Sequence, residues 1–271
     1  MSGIEISTRQ LEEIEIKAWT DLYAAAHSLK ENPGGISILK EDSYAASTIS
    51  GCDVLALNRI VGWGEGSQGS VENLKRLLDL YRRAGVPRVF LQLHPSLVDS
   101  PAGRAAQECG FVHYNNWVKL YREVEPLTGV RSDLKVEGIG PERAEAFAAI
   151  VTECFDWDQR LRPWIGSVVG RPNWYAYLAY EGDRAAATGA FYRSGEYAWV
   201  DMAATLPDFR GRGAQTLLMQ RRIEDAIKLG CKHLVVETAQ ETPERSAPSY
   251  RNMLRYGFQV AYVRPNYLYK F

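Results

Sequence analysis

Apolar positions recur at helical spacing through Met219, Ile223, Ala226 and Ile227, and the stretch they define ends near Leu229-Gly230. An aromatic-rich apolar run from Tyr197 to Leu206 precedes it and predicts a strand. After it the pattern predicts a strand at His233 to Thr238 and a helix over Ser249 to Tyr256, with Gly257-Phe258 opening a last strand. The first half carries the same order. Leu74, Leu77, Leu78 and Tyr81 mark a helix ending at Ala84-Gly85, Arg88 to Leu93 is a strand, and Gly103 to Cys109 is helical before Gly110-Phe111. From helix-ending glycine to Gly-Phe is 25 residues in one half and 27 in the other. The closing segments FVHYNNWVKLYRE and FQVAYVRPNYLYKF also match in character. Near-equal spacing of the same elements predicts a duplicated unit.

Between the copies, Glu123 to Asp133 mixes Pro, Gly and charge without a period, as an exposed linker does. The expected division is residues 1–125, a linker at 126–133, and residues 134–271. Gly140-Pro141 then starts a helix whose apolar face is Ala144, Phe147, Ala148, Val151 and Phe155, proline taking its favoured first position. Asp156 to Asn173 breaks into turns, and strands follow at Trp174 to Tyr180 and Ala185 to Tyr192. The fold class expected is α/β, each copy a mixed sheet flanked by helices.

Composition narrows the function classes. An apolar fraction of 46% over 271 residues supports folded cores, and a formal net charge of −1 gives no basis for a nucleic-acid or anionic-membrane surface. Cys52, Cys109, Cys154 and Cys231 stand singly, without metal-ligand spacing, and the four histidines form no nucleophile or metal arrangement. No metal, nucleic-acid or membrane partner is expected. The opening MSGIEISTRQLEEIEIKAW has neither a basic start nor an apolar core, so a reducing cytoplasm is the expected location.

The chemistry concentrates at Arg210-Gly211-Arg212-Gly213-Ala214-Gln215, where the strand gives way to the helix. The first N–H groups of a helix lack intrahelical partners and the dipole is positive there, so main chain alone can hold an anion. Glycine permits the close approach. Arg221 and Arg222, farther along, are expected on a solvated helix face.

This order of elements, with Leu206-Pro207-Asp208-Phe209 before the loop, resembles the GNAT acetyltransferase superfamily over roughly Leu134 to Phe271. With the duplication, the chain resembles two tandem GNAT-like domains. The family pattern Gln/Arg-x-x-Gly-x-Gly/Ala grips the pyrophosphate of acetyl-coenzyme A; Arg210 and Gly213 fit it, and Gln215 departs from it. The first copy offers Gly62 to Gly69, with glycines, no arginine and Glu65, and is expected to be degenerate, so that only the second copy binds coenzyme.

The resemblance makes Trp199 to Leu206 the splayed strand, with Ala203 and Thr205 giving backbone contacts to the pantetheine arm and acetyl carbonyl. Asp201, which shares a strand face with Ala203 and Thr205 by period two, is a candidate general base, and Glu237, which interrupts the apolar run LVVE on the next strand, is another. The family's proton-donating tyrosine stands four residues before the glycine of Gly-Phe; here that residue is Met253, which cannot donate, and Tyr250 one turn earlier is the substitute. Tyr256 is expected to point elsewhere around the helix. Ser246 and Asn252 lie where they could contact coenzyme. Asp156, Trp157, Asp158 and Trp164, with Trp174 close by, supply aromatic and acidic groups suited to an amine acceptor. The resemblance thus implies acetyl transfer from acetyl-coenzyme A, without a metal, to the amine of a small molecule or peptide, by a monomer or homodimer. The departure at Met253 keeps a second possibility open, a catalytically idle coenzyme-A-binding sensor or interaction module.

Overall fold

A computed structural model describes residues 6–32, 34–64, 69–129 and 132–271. The first half runs α1 (Thr8–Ala24), β1 (Ile36–Lys40), β2 (Ala45–Ile49), β3 (Arg59–Val61), α2 (Val71–Arg83), β4 (Arg88–Gln92), α3 (Pro101–Glu108) and β5 (Val112–Glu123). The second runs β6 (Lys135–Gly138), α4 (Ala144–Cys154), α5 (Arg162–Gly166), β7 (Trp174–Glu181), β8 (Arg184–Ser194), β9 (Tyr197–Thr205), α6 (Ala214–Lys228), β10 (His233–Ala239), α7 (Pro248–Arg255) and β11 (Gln259–Lys270). The stretch Asp156 to Asn173, expected as turns, contains the short helix α5. Its Trp164 is fully buried and anchors the helix.

Among the described residues eleven strands form one sheet, ordered β1-β2-β3-β4-β11-β5-β10-β9-β8-β7-β6. The two halves exchange their last strands. The first half's β5 lies antiparallel beside β10, the second half's β11 lies antiparallel beside β4, and β5 pairs with β11 at the centre. One face of the sheet is covered by α1, α4 and α5, whose apolar residues join in a single core containing Trp19, Tyr23, Phe147 and Trp164. The other face carries two separate cores, one under α6 and α7 and one under α2 and α3.

Helix α1 starts with a reciprocal cap, in which Ser7 accepts from the Gln10 N–H while the Gln10 side chain accepts from the Ser7 N–H. Its stripe of Leu11, Ile14, Ala18, Trp19 and Leu22 packs on the sheet, yet Glu15 sits in that stripe and is fully buried. Glu15 is held there by Lys119, by Arg264 at 2.9 Å and by Arg59 at 3.4 Å. Arg264 also reaches Glu12 at 3.0 Å and Glu237, and Arg59 reaches Glu237 at 3.4 Å. Gln92 accepts from both arginines, at 3.0 and 3.2 Å. Arg59 lies 3.8 Å from the Trp19 ring centroid and Lys119 lies 4.6 Å from that of Trp199. Three cations and three carboxylates therefore balance where α1 meets five strands from both halves.

Burial alone would raise the Glu15 pKa, but Arg264, Lys119 and Arg59 hold it well below the usual carboxylate range. A carboxyl depressed on folding adds stability above its unfolded pKa and loses it as pH falls toward the folded value. Removing the anion strands buried cations, which costs about 3–5 kcal/mol. Glu15→Gln should lower the unfolding free energy by that amount in urea at pH 7, and the deficit should shrink at acid pH. A loss under about 1 kcal/mol would show that the cluster carries no such weight.

Candidate functional site

Strands β9 and β10 are parallel and paired only from Tyr197 to Trp199 against His233 to Val235, although β9 continues to Thr205 and β10 to Ala239. Beyond Trp199 they part. Ala203 is exposed in the middle of the sheet, and Glu237 is partly exposed although its side chain is only 3% so, which means that its main chain is what solvent reaches.

A β-bulge shapes the parted segment. On the other edge of β9, Thr188 pairs with Ala204 and Ala190 with Asp201, so the single residue Gly189 faces both Met202 and Ala203. Met202 takes φ +52°, outside the usual range for such a side chain. The extra residue shifts the alternation. Trp199, Met202 and Ala204 belong to the core on the α1/α4 face, while the Thr205 hydroxyl meets Gln215 of α6 on the opposite face. The expectation that Asp201, Ala203 and Thr205 share a face by strict alternation is therefore corrected by the bulge.

Asp201 is partly exposed, accepts from the Met202 N–H at 2.7 Å and from the Trp199 indole at 3.2 Å, and has its pKa raised by desolvation, against the pull of these two bonds. Glu237 is placed otherwise. Its carboxylate faces Arg264, Arg59 and, at 3.7 Å, Lys119, so it is a member of the central ion cluster.

The loop after β9 turns through Gly211 at φ +77° and Gly213 at φ +79°, and Gly213 caps α6 without any side-chain hydrogen bond. A Cβ at Gly211 would meet nothing within 4 Å, so the loop borders open space. Arg210 is exposed beside it and donates to Thr205 O at 3.2 Å. The Arg212 guanidinium turns away to Asp133 and Glu181, leaving its main chain to the loop. The Ala214 side chain is buried. Gln215, which departs from the small-residue pattern, sends its amide Nε2 to Ala204 O at 2.9 Å, Thr205 Oγ1 at 3.0 Å and Thr188 O at 3.2 Å. The solvated face expected for Arg221 and Arg222 holds for half of the pair. Arg221 is partly exposed and bonded to Asp225, but Arg222 is fully buried against β8, its guanidinium carbon 3.1 Å from where a Gly189 Cβ would stand. Desolvation pulls its pKa down to about 10.

The corresponding start in the first half is closed. At α2, Ser70 accepts from the Asn73 N–H at 3.1 Å, and Asn73 in turn accepts the indole N–H of buried Trp63 at 2.7 Å. A Cβ on Gly69 would stand 2.8 Å from Ala102 Cβ and from Gly64 O. Side chains thus occupy the helix start that α6 leaves open. Glu65 lies outside the described residues.

At α7, Met253 is buried in the core, Tyr250 is half-buried against the same core, and Tyr256 does not point away as expected: its hydroxyl lies 3.1 Å from Thr216 Oγ1 in the first turn of α6. Ser246 is exposed and does not cap α7, and Asn252 accepts from Arg255 at 2.6 Å. Of the acceptor candidates, Asp156 is exposed at φ +54°, Trp157 is partly exposed and stacked on Phe155 at 5.1 Å, and Asp158 caps the turn at Gln159 while binding Arg160. Trp164 does not reach a surface. Its indole N–H goes to Leu22 O at 2.8 Å, and Trp174 likewise bonds Asp21 at 2.9 Å, so both tie the second half to α1. A cavity of about 710 Å³ opens elsewhere, between the start of α1, the β1–β2 turn and the ends of β3 and β4. None of the candidate residues lines it. Among the described residues no group of His, Cys, Asp and Glu could hold a metal ion, and no helix is long and apolar enough to cross a membrane.

A parted pair of parallel strands, a bulge, and an open helix start behind two left-handed glycines make up the candidate site. Residues 137–257 match the acetyltransferase (GNAT) family. The whole chain has the fold of a tandem GNAT protein. It superposes on a tandem GNAT protein from the clavulanic acid biosynthesis pathway with TM-score 0.62 at 14% identity, covering 97% of this chain and 94% of that one. GCN5-related N-acetyltransferases from Kribbella flavida (TM-score 0.60, 16% identity, 91% and 94% covered) and Sphaerobacter thermophilus (0.61, 15%, 84% and 76%) are also similar. No curated protein matches the sequence.

The open start at α6 makes a direct prediction. Gly213→Asp sets a carboxylate where an anion would bind, and like charges at close contact should weaken acetyl-coenzyme A about 100-fold or more by calorimetry. Gly195→Asp, in a turn at φ +59° with open space around it, imposes similar backbone strain and should leave affinity unchanged. Equal effects from both variants would place the ligand elsewhere.

Proposed function

We propose that the second half transfers an acetyl group from acetyl-coenzyme A to the amine of a small molecule or peptide, by direct attack in a ternary complex. The observation that carries this reading is the uncapped start of α6 beside the parted edge of β9. The main chain of Arg210 to Gln215 would hold the diphosphate, and the backbone of Ala203 and Thr205 would meet the arm. When bound, acetyl-coenzyme A supplies the activated thioester; the chain's residues orient the reactants and move protons.

Asp201 is the base in this reading. Desolvation raises its pKa and makes it the stronger proton acceptor, whereas Glu237 is committed to three cations. Tyr250 is the donor toward the leaving thiol. Asp156, Trp157 and Asp158 form the acceptor side, and Ser246 and Asn252 the outer rim of the coenzyme site. The first half, its own helix start filled, braces the site through α1 and binds no coenzyme there. A second reading, a coenzyme-binding module without turnover, is favoured by buried Met253 in place of a proton-donating tyrosine.

Thiol release from acetyl-coenzyme A across a broad panel of amines separates the two readings. Turnover that needs an amine supports the enzyme; binding without amine-dependent release supports the idle module. A protonated Asp201 cannot accept a proton, so kcat/KM should rise as pH increases through its raised pKa. Asp201→Asn should lower kcat about 100-fold or more and remove that acid limb. An unchanged limb in this variant would assign the base elsewhere.

A further inference from the structure

Side chains serve the backbone polar groups around the β9 bulge from both faces of the sheet. Asp201 accepts from the Met202 N–H, the Thr188 hydroxyl donates to Met202 O at 2.7 Å, and Arg222 lies 3.4 Å from Ala190 O. Gln215 closes the set, its one amide nitrogen lying within 3.2 Å of Thr188 O, Ala204 O and Thr205 Oγ1. It stands at the second position of α6, among the first-turn residues whose main-chain N–H groups have no intrahelical acceptor. One residue therefore faces the anion site with its backbone and ties the bulge with its side chain. A glycine or alanine there would leave these oxygens without that donor.

We propose that Gln215 is a positioning residue that locks the β9 bulge to the start of α6, fixing the diphosphate cradle relative to the strand edge that receives the acyl arm. The inference rests on the acetyl-coenzyme A reading of the loop. It explains why this chain departs from the small residue of the pattern without disturbing the glycine turn. The side chain leaves the loop on the sheet side, so Gln215 adds a tie and takes no space from the open side of Gly211.

The test compares the wild type with Gln215→Met, which keeps length and loses the donors, using calorimetry with acetyl-coenzyme A and with ADP, a diphosphate without the arm. The expected result is about tenfold weaker acetyl-coenzyme A binding with ADP affinity held within about twofold, since two neutral hydrogen bonds are removed from the arm's side only. Amide exchange at Ala203 and Ala204 should quicken in the ligand-free variant while its melting temperature stays near that of the wild type. Equal weakening of both ligands, or no weakening of either, overturns the inference. A wild type that binds neither ligand overturns the coenzyme reading instead; exchange at Ala203 and Ala204 then decides the lock, quickened in the variant if it exists and unchanged if it does not.

Discussion

The structure turns on the burial of Glu15. A carboxylate on the inner face of α1 is tolerable only because Lys119, Arg264 and Arg59 converge on it, and these three come from β5, β11 and β3. Buried charge is costly unless paired and hydrogen-bonded, so the pairing constrains which strands can lie side by side. Lys119 on β5 and Arg264 on β11 meet at the centre beneath α1, where the two closing strands pair. The same cluster takes up Glu237 from the segment of β10 that has left β9, which steadies the far side of the gap.

The two halves share a plan and differ at the helix start that follows β3 in one and β9 in the other. At α6 the cap is a left-handed glycine with no side chain, and open space lies beyond Gly211. At α2 the corresponding place is taken by Ser70, Asn73 and Trp63. The missing arginine and Glu65 prompted the expectation of degeneracy; Glu65 lies outside the described residues, and a helix start already capped has fewer N–H groups to offer an anion. The start of α6 is thus open and the start of α2 filled by side chains.

The second half was largely legible in sequence because its apolar spacing is regular and its loop pairs two glycines with a strand-to-helix change. Legibility fell in the first half. Helix α1 went unrecognised because Glu15 interrupts its stripe, and the partners that make Glu15 tolerable lie more than forty residues away or in the other half. The same non-locality hid Arg222, whose neighbour Arg221 is surface while it is core. Strict alternation misplaced Asp201 relative to Thr205, since no motif in MAAT announces a bulge; Gly189 opposite it was the available signal. Trp164 and Trp174 were grouped with an acceptor by composition, but each indole N–H is spent on α1. Gln215 registered as a departure, and only the fold shows what it bonds.

One measurement bears most directly on this account: a crystal structure of the chain with acetyl-coenzyme A. One coenzyme per chain is expected, its diphosphate on the main-chain N–H groups from Gly211 to Gln215 and its arm between β9 and β10 along Ala203. Coenzyme seated at the start of α2, or in the cavity beside α1, would contradict it.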